Sequence, residues 1–485
     1  MHRTQLVLVP TEAETTDQVE GALLQRFVDI RRELEVVEDF PSEALAEAEQ
    51  AALSPASLPT TDLTDLPFFT LDPPGSMDLD QAVHFAREGE GYRVRYAIAD
   101  VPAFVAPGGP LDLATRSRGQ TTYCPDRRIG LHPPVLAEGA ASLLPGVVRP
   151  AYVWDLCLDA EGVVTSAEVA RALIRSEERL DYESVQRALD EGTTEERLLL
   201  LREVGELREA QERARGGASL PMPEQQVRRS ADGSGFVLEF RPAVPAEGWN
   251  AQISLMTGMA AAELMIAGGV GILRTMPPPT ASAIARFRTR ARALGAPWPE
   301  EQSYGAFIAG LDRQDPRHLA LIHEATGLFR GAGYTPIDGE VPAEHAHAAV
   351  AAPYAHVTAP LRRLVDRFGL VVCEALSAGA PVPQWAREAL PLLADLMATS
   401  DRRTRAVERA CTDATEAAVL HDRVGQDFSA VVVDHTERGM VVQLVELPVL
   451  HLATGDRTNL GRGIAVRLTS ADIDAGRVTF TYARP

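Results

Sequence analysis

Three aspartates, Asp72, Asp78 and Asp80, lie within nine consecutive residues of this 485-residue chain, and the rigid sequence Pro-Pro-Gly follows the first of them. Proline fixes φ and glycine permits positive φ, so residues 73–75 can turn the chain back on itself. If residues 78–80 are extended, the two later carboxylates project from the same side. Carboxylates packed together repel one another, and a hard divalent cation removes that repulsion. The stretch therefore predicts a carboxylate–metal centre of the kind that cleaves phosphodiesters. The alternative is an ordinary aspartate-rich loop.

The composition limits the class of protein. A chain of 485 residues is long enough for about three domains, and a hydrophobic fraction of 45% is ordinary for globular proteins. No run of about 18 apolar residues and no leader-like N-terminus stand out, so we expect no membrane association. The four cysteines form no C-x-x-C pair, which argues against disulfides and zinc. We therefore expect a cytoplasmic protein, in a reducing environment.

The charge has two unusual properties. The formal net charge is −21, which is uncommon for a protein that binds nucleic acid, and all 47 basic residues are arginines. Arginine is the better planar, bidentate ligand for phosphate. Every cationic side-chain contact to a phosphate must therefore come from arginine. Because net charge describes the outer surface, it is compatible with a local basic channel that leads to the carboxylates.

Residues 1–62 are predicted to form a small, mainly helical module. A short strand is expected at 4–9, followed by a helix that begins at the capping box Thr15-x-x-Gln18 and runs to Leu34. A second helix is expected over 42–53, and a helix-turn-helix arrangement is possible.

Residues 63–420 have the pattern of one large mixed α/β region, and residues 427–485 the pattern of a separate β-domain. In the first region the predicted strands are 92–98 and 151–158, and the predicted long helices are 195–215, 252–272, 281–294 and 360–376. The second region has four or five short strands, typical of a small OB-type barrel. Such barrels often bind single-stranded nucleic acid.

Five motifs follow one another over about residues 63–380. The first is Thr-Leu-Asp-Pro-Pro-Gly-Ser-Met-Asp-Leu-Asp-Gln-Ala at 70–82. The others are Ile-Ala-Asp-Val at 98–101, the Arg-Gly and Tyr-Cys-Pro segment at 111–125, Ser-Leu-Leu-Pro to Arg at 142–149, and Tyr-Ala-His-Val-Thr-Ala-Pro-Leu-Arg-Arg-Leu-Val-Asp at 354–366. Together they resemble the RNB catalytic domain of the ribonuclease II/R family, and the C-terminal barrel resembles that family's S1 domain.

The resemblance implies an α+β multidomain protein. Its parts would be an RNB catalytic domain with a mixed sheet packed against helices, a C-terminal OB-fold S1 barrel and an atypical, mainly helical N-terminus. The implied activity is that of a hydrolytic, processive 3′→5′ exoribonuclease, which degrades single-stranded RNA with a free 3′ end to 5′-nucleoside monophosphates. The implied chemistry is in-line attack of water assisted by Mg²⁺ or Mn²⁺. We expect a monomer.

The resemblance also assigns roles to residues. Metal ligands would be drawn from Asp72, Asp78, Asp80 and Gln81. Catalysis would depend on Asp80, Arg362 and Arg363, and the sequence leaves open which of the two arginines contacts the scissile phosphate. Tyr123 would stack near the 3′ end of the RNA. Further RNA contacts are predicted for Arg118, His356, Thr358, Arg362 and Arg363. Phe236, Phe240 and Trp249 are candidates for a second stacking aromatic.

The chain departs from the family pattern in two places. Gln81 stands where the family has a fourth aspartate, which should weaken metal binding and puts a second metal in doubt. An RNA-binding regulator with an impaired catalytic domain is therefore an alternative, and a DNA-acting or endonucleolytic phosphodiesterase is another. The first 62 residues are too few for the two cold-shock barrels of well-known members, so we expect a more open entry for the substrate.

Overall fold

The computed structural model describes residues 7–8, 18–218, 224–229, 236–241, 243–312, 315–325, 327–447 and 449–483, and only the backbone at 7–8, 224–229 and 236–240. Its helices are α1 Gln18–Glu33, α2 Ser42–Leu53, α3 Pro110–Arg118, α4 Tyr182–Asp190, α5 Glu196–Arg215, α6 Pro245–Gly268, α7 Ala281–Ala293, α8 Tyr304–Ala309, α9 Pro316–Ala325, α10 Leu364–Ser377 and α11 Gln384–Leu420.

The strands fall into two closed barrels and several short sheets. They are β1 Val7–Leu8, β2 Phe68–Asp72, β3 Gln81–Glu88, β4 Gly91–Ala99, β5 Thr122–Tyr123, β6 Arg128–Ile129, β7 Val148–Leu158, β8 Val164–Asp181, β9 Glu224–Arg229, β10 Phe236–Arg241, β11 Val270–Thr275, β12 Gly333–Asp338, β13 Ala346–His347, β14 Ala352–Pro353, β15 Asp427–Thr436, β16 Gly439–Leu444, β17 Leu450–Thr454, β18 Gly463–Asp472 and β19 Arg477–Tyr482.

The first barrel contains the aspartate stretch. Its strands are ordered β2-β3-β4-β7-β8, and the parallel pairing of β2 with β8 closes it. Val94, Tyr96 and Ile98 alternate along β4 and are buried, so one face of the strand packs in the core. Strand β2 ends at Asp72 and β3 begins at Gln81, and Gly75 between them has a φ of +81°. The predicted turn therefore forms and places the aspartates at one end of the barrel.

Helices cover the first barrel and form a single large core with it. The apolar helix α6 lies at the centre, with most of its residues buried. By length and composition it is the one helix in the described part of the chain that could cross a membrane, but half of its apolar window is buried, as in a core helix.

The two N-terminal helices have no core of their own. Leu23, Phe27 and Ile30 of α1 pack in one cluster with α11 and the C-terminal barrel. Ala44 and Ala48 of α2 pack in another cluster with the first barrel and α3. Both helices are therefore joined to the rest of the described chain through their apolar residues. The division of residues 1–62 as a separate module, with a possible helix-turn-helix arrangement, stays a prediction.

The second barrel is the C-terminal one, with strands ordered β15-β16-β17-β19-β18. Phe428, Val432, Val466 and Phe480 fill its interior. The predicted α+β fold with a C-terminal OB-type barrel is confirmed.

Two predicted helices need correction, and one predicted strand is described only in part. The predicted helix 252–272 is instead α6, which ends at Gly268, because Gly269 takes the left-handed conformation and stops it. Ile272 therefore lies in β11. The predicted helix 360–376 begins only at Leu364, since Arg363 is in the extended region. Of the predicted strand 4–9, the described part is Val7–Leu8, which pairs with β9.

Candidate active site

The turn that carries the aspartates is held against the barrel by Ser142. The Leu79 N–H donates to the Ser142 hydroxyl at 3.0 Å, and that hydroxyl donates to the Met77 carbonyl at 2.6 Å. The Asp80 carbonyl accepts a hydrogen bond from the Ala99 N–H at 2.9 Å. Asp80 is thus fixed by the backbone just before β3 begins.

Asp80 is the most enclosed of the three carboxylates, with 5% exposure. Its Oδ1 accepts a hydrogen bond from the Leu361 N–H at 2.7 Å, and its Oδ2 lies 3.7 Å from Arg362 Nε. Burial raises the pKa of Asp80 well above its usual range, while Arg362 and the Leu361 N–H act in the opposite direction. The site therefore contains a desolvated carboxyl group beside a guanidinium.

Asp72 and Asp78 lie close enough to affect each other's charge. Burial, and then the charge of Asp78, raise the pKa of Asp72 to about 7. The Asp72 Oδ2 atom is buried and has no hydrogen-bond partner among the residues that the structure describes. Asp78 forms an ion pair with Arg128, whose other terminal nitrogen contacts Glu138. Within the residues that the structure describes, no three His, Cys, Asp or Glu side chains are arranged as a ready metal cluster.

These carboxylates nevertheless fit a divalent cation in their chemistry. A bound cation would give the buried Asp72 Oδ2 atom a partner. It would also offset the burial and the like charge of Asp78 that raise the pKa of Asp72. Asp72, Asp78 and Asp80 are the residues that would hold the ion.

Gln81, predicted as a metal ligand, is hydrogen-bonded to protein groups at both ends of its amide in this structure. Its Oε1 accepts a hydrogen bond from the Tyr96 hydroxyl, and its Nε2 donates to the Thr358 carbonyl at 2.6 Å. Both ends of the amide are therefore engaged by protein groups. In this structure Gln81 connects β3 to the segment that precedes α10.

The two adjacent arginines have different surroundings. Arg363 donates to both oxygens of Asp366, at 2.8 and 3.0 Å, and Asp366 is fully buried. The side chain of Arg362 is 40% exposed and approaches Asp80. Arg362 is therefore the arginine that is available to a phosphate, whereas Arg363 is committed to an internal ion pair.

Tyr123 lies beside the carboxylates. It belongs to the short hairpin β5–β6, opposite Arg128. Burial raises the pKa of its hydroxyl to about 12, and the neighbouring charges of Asp78 and Asp80 act in the same direction, against Arg362. The structure thus brings Tyr123 to the same site.

Thr358 and His356 lie behind the segment that carries Arg362. The Thr358 hydroxyl is hydrogen-bonded to that of Ser254 at 2.8 Å, and Thr358 is buried. His356 Nδ1 is 2.7 Å from the Tyr334 hydroxyl. Burial holds the pKa of His356 well below its usual range, so the imidazole is neutral. These contacts are internal, and they support the segment.

Arg118, for which an RNA contact is predicted, is a buried residue with partners inside the protein. It is 4% exposed, and its guanidinium donates to the carbonyls of Glu38, Asp39 and Gly130. It also stacks on Phe40, 3.7 Å from the ring centroid. These contacts give Arg118 a structural role in connecting residues 38–40 to Gly130, and its RNA contact stays a prediction.

Of the three candidates for a second stacking aromatic, the structure describes the side chain of Trp249. Trp249 is buried in the core, where a Cβ on Gly205 would lie 2.3 Å from its Cβ atom. The side chains of Phe236 and Phe240 lie outside the described residues.

Sequence reasoning missed three residues that adjoin the site. Arg128 contacts Asp78, and the charge of Arg179 acts on Asp72. His132 contacts Leu361. Arg128 could have been found from its position opposite Tyr123 in a hairpin, but nothing local in the sequence indicates Arg179 or His132.

Comparisons with known proteins agree with this fold. The model of the RNB domain matches residues 60–375, and the model of the RNase II-type exonuclease C-terminal S1 domain matches residues 426–483. Ribonuclease R 1 of Lactococcus lactis is 24% identical over 504 residues, which cover 94% of this chain and 60% of that protein.

Two solved structures show the same fold. Mycoplasma genitalium RNase R in complex with ribose methylated single-stranded RNA has a TM-score of 0.83 at 19% identity, covering 96% of this chain and 78% of that chain. Yeast Ssd1, a pseudonuclease, has a TM-score of 0.69 at 17% identity, covering 93% and 57% respectively.

The fold and the site define a two-barrel protein with a carboxylate-lined centre at the end of its first barrel. The chain belongs to the RNB-domain family, because the family model matches well over half of it, and it ends in an RNase II-type S1 domain. It spans about 60% of the length of curated relatives such as the Lactococcus lactis protein.

Proposed function

We propose that this chain is an exoribonuclease that hydrolyses single-stranded RNA processively from a free 3′ end and releases 5′-nucleoside monophosphates. The observation that carries the proposal is the arrangement around Asp80. This buried carboxylate is held by the Leu361 N–H at 2.7 Å and lies beside the half-exposed Arg362. Membership of a family of exoribonucleases supports the reaction class.

Each residue at the site has a role that its surroundings support. Arg362 would bind the scissile phosphate and stabilise the charge that develops on it, because its guanidinium has exposed surface. Tyr123, beside Asp78 and Asp80, would stack against the 3′-terminal base. Asp80 would be held in one orientation by Leu361, so that little reorganisation accompanies the reaction.

Asp72, Asp78 and Asp80 would hold Mg²⁺ or Mn²⁺. When bound, such an ion makes water a better nucleophile at neutral pH and neutralises charge on the phosphate. Gln81 is left out of this set because the Tyr96 hydroxyl and the Thr358 carbonyl already engage its amide.

A 5′-labelled single-stranded RNA tests the proposal. It would be incubated with the wild-type protein and with Asp80→Asn, in Mg²⁺, in Mn²⁺ and in EDTA. We expect release of mononucleotides and a short 5′ end-product, both lost in EDTA and in Asp80→Asn. Removing a carboxylate that acts in the transition state commonly lowers the rate by about 10³-fold or more.

Asp338→Asn is a suitable control, because Asp338 is exposed and pairs with Arg387 away from the site. Its activity should equal that of the wild type. Cleavage that survives Asp80→Asn would contradict the proposal and indicate a different active site or a contaminating nuclease. A ladder of internal products would indicate an endonuclease, and equal cleavage of DNA would remove the preference for RNA.

An RNA-binding regulator with an impaired catalytic centre is the second candidate. Two observations favour it: Gln81 supplies no charge to the site, and Asp78 is paired with Arg128. A gel-shift assay with the same RNA separates the two functions. Binding without cleavage in any of the metal conditions would support the regulator.

A further inference from the structure

His132 lies directly behind the segment that carries Arg362. It is 3% exposed, and its Nδ1 is 3.1 Å from the Leu361 carbonyl oxygen. A carbonyl can only accept, so Nδ1 carries the proton and donates it. The N–H of the same Leu361 donates to Asp80 at 2.7 Å. One residue, Leu361, thus connects the histidine to the carboxylate.

Other peptide groups of this segment are held both by groups outside it and by a turn of its own. Gln81 Nε2 donates to the Thr358 carbonyl at 2.6 Å, and the Ala359 N–H donates to Asp366 at 2.7 Å. The Arg362 carbonyl accepts from the Thr121 N–H at 3.0 Å, and the Arg362 N–H donates to the Ala359 carbonyl at 3.2 Å within the segment. The segment is neither a helix nor a strand, so its geometry depends on these contacts together.

His132 is itself rigidly placed. Pro133 follows it and restricts its backbone conformation. A Cβ on Gly130 would lie 2.8 Å from the His132 carbonyl oxygen, so only glycine permits this tight approach. The Gly130 carbonyl accepts from Arg118 at 3.1 Å, and the Leu131 N–H donates to Thr121 Oγ1 at 3.1 Å. The arrangement holds the imidazole in one orientation.

The two ring nitrogens of His132 have different surroundings. Burial lowers the pKa of His132 to about 4, so the ring is neutral near pH 7 and Nε2 has a free lone pair. Nε2 has no hydrogen-bond partner among the described residues. The ring borders a cavity of about 600 Å³ that Asp78 and Arg128 also line. Nδ1 can position Leu361, whereas Nε2 is a buried atom that takes no part in these hydrogen bonds.

We propose that His132 is a positioning residue that acts through Nδ1: its hydrogen bond to the Leu361 carbonyl keeps the Leu361 N–H on Asp80 and Arg362 beside it. This inference rests on the proposed exoribonuclease function for its catalytic consequence. Nδ1 is connected to Asp80 through the two hydrogen bonds of Leu361, whereas Nε2 makes no contact in the described part of the chain that leads to Asp80.

Two amide substitutions distinguish the ring nitrogens. In His132→Asn the side-chain NH₂ can take the place of Nδ1, and in His132→Gln the terminal amide takes the place of Nε2. We expect His132→Gln to lower kcat by about 10- to 100-fold, because a buried carbonyl loses its donor. We expect its Kd for RNA to stay within about threefold, and His132→Asn to retain kcat within about threefold. His421→Gln, at an exposed histidine, is the control.

Hydrogen exchange of the peptide that contains residues 358–362 provides a readout that does not depend on activity. Without RNA, exchange there should rise in His132→Gln and stay as in the wild type in His132→Asn. This pattern together with an inactive wild type would refute the proposed function while supporting the anchoring of Leu361. Full activity in His132→Gln with loss in His132→Asn would overturn the proposal in favour of a contact through Nε2. Equal losses of kcat and of thermal stability in both variants would overturn it in favour of simple packing.

Discussion

Gln81→Glu separates a structural role of Gln81 from a metal-binding one. The substitution preserves the shape of the side chain, and the Tyr96 hydroxyl can still donate to it. It removes only the donor that bonds the Thr358 carbonyl at 2.6 Å. It also adds a negative charge next to Asp80. A structural residue should be harmed by this change, whereas a metal ligand should gain affinity from the added charge.

The expected loss in the free energy of unfolding of Gln81→Glu follows from the hydrogen bonds of the Gln81 amide. A partly buried carbonyl that loses its donor costs about 1–3 kcal/mol. The added charge near other carboxylates raises the total to about 2–4 kcal/mol at pH 8. For a domain of this size the midpoint of thermal unfolding should fall by about 4–8 °C. Because Thr358 precedes Arg362 by four residues, kcat should fall as well.

Thermal unfolding in EDTA and in Mg²⁺ measures this effect. Gln50→Glu adds the same charge at an exposed site on α2 and should leave the unfolding midpoint nearly unchanged. Tyr96→Phe removes the other bond of the amide and should weaken the same connection. If Gln81→Glu unfolds at a higher temperature than the wild type in Mg²⁺, or binds Mg²⁺ more tightly, the structural interpretation of Gln81 is refuted.

Two further results are expected. Arg363→Ala should destabilise the protein by about 3–5 kcal/mol, because it leaves the buried Asp366 without its ion pair. Arg362→Ala should instead lower kcat with little change in the free energy of unfolding. Equal losses of unfolding free energy for the two variants in urea titrations would contradict this difference. Burial lowers the pKa of His347 to about 4, below its value in the unfolded chain. The folded state therefore takes up fewer protons than the unfolded state as the pH falls from 7 to 5, and the protein loses about 2 kcal/mol of stability over this range. His347→Gln lacks this contribution. Urea unfolding at pH 7 and pH 5 should therefore show that the free energy of unfolding of the variant rises relative to that of the wild type at pH 5.

Local patterns were sufficient for several elements. The second helix was predicted over 42–53 and is found at Ser42–Leu53, because its apolar residues repeat with helical spacing and a proline precedes it. The turn after Asp72 was predicted from Pro-Pro-Gly, and Gly75 takes the positive φ that it requires. The strands of the C-terminal barrel were recognised by alternation and by the turns between them.

The site could be predicted only in outline. Its aspartates and arginines were found because each group lies within one short motif, at 70–82 and at 354–366, and the motifs keep a recognisable order along the chain. The contacts that define their roles were not found, since they join distant parts of the chain. Asp80 and Leu361 are 281 residues apart, and Gln81 and Thr358 are 277 apart. The internal contacts of Arg118 were not found for the same reason, because its partner carbonyls at Glu38 and Asp39 come from a different region.

The sequence by itself determined the turn that brings the aspartates to the start of β3, because proline and glycine restrict the backbone wherever they occur. Its alternating strands also predicted the C-terminal barrel. The first region was predicted only as a mixed sheet packed against helices, and its closure into a barrel by the pairing of β2 with β8 is decided by the tertiary structure. Only the tertiary structure decided between Arg362 and Arg363. The two are adjacent and chemically identical, but Asp366, buried in the first turn of α10, neutralises Arg363 and leaves Arg362 beside Asp80. Identical side chains differ in availability only through the charges that the fold places next to them.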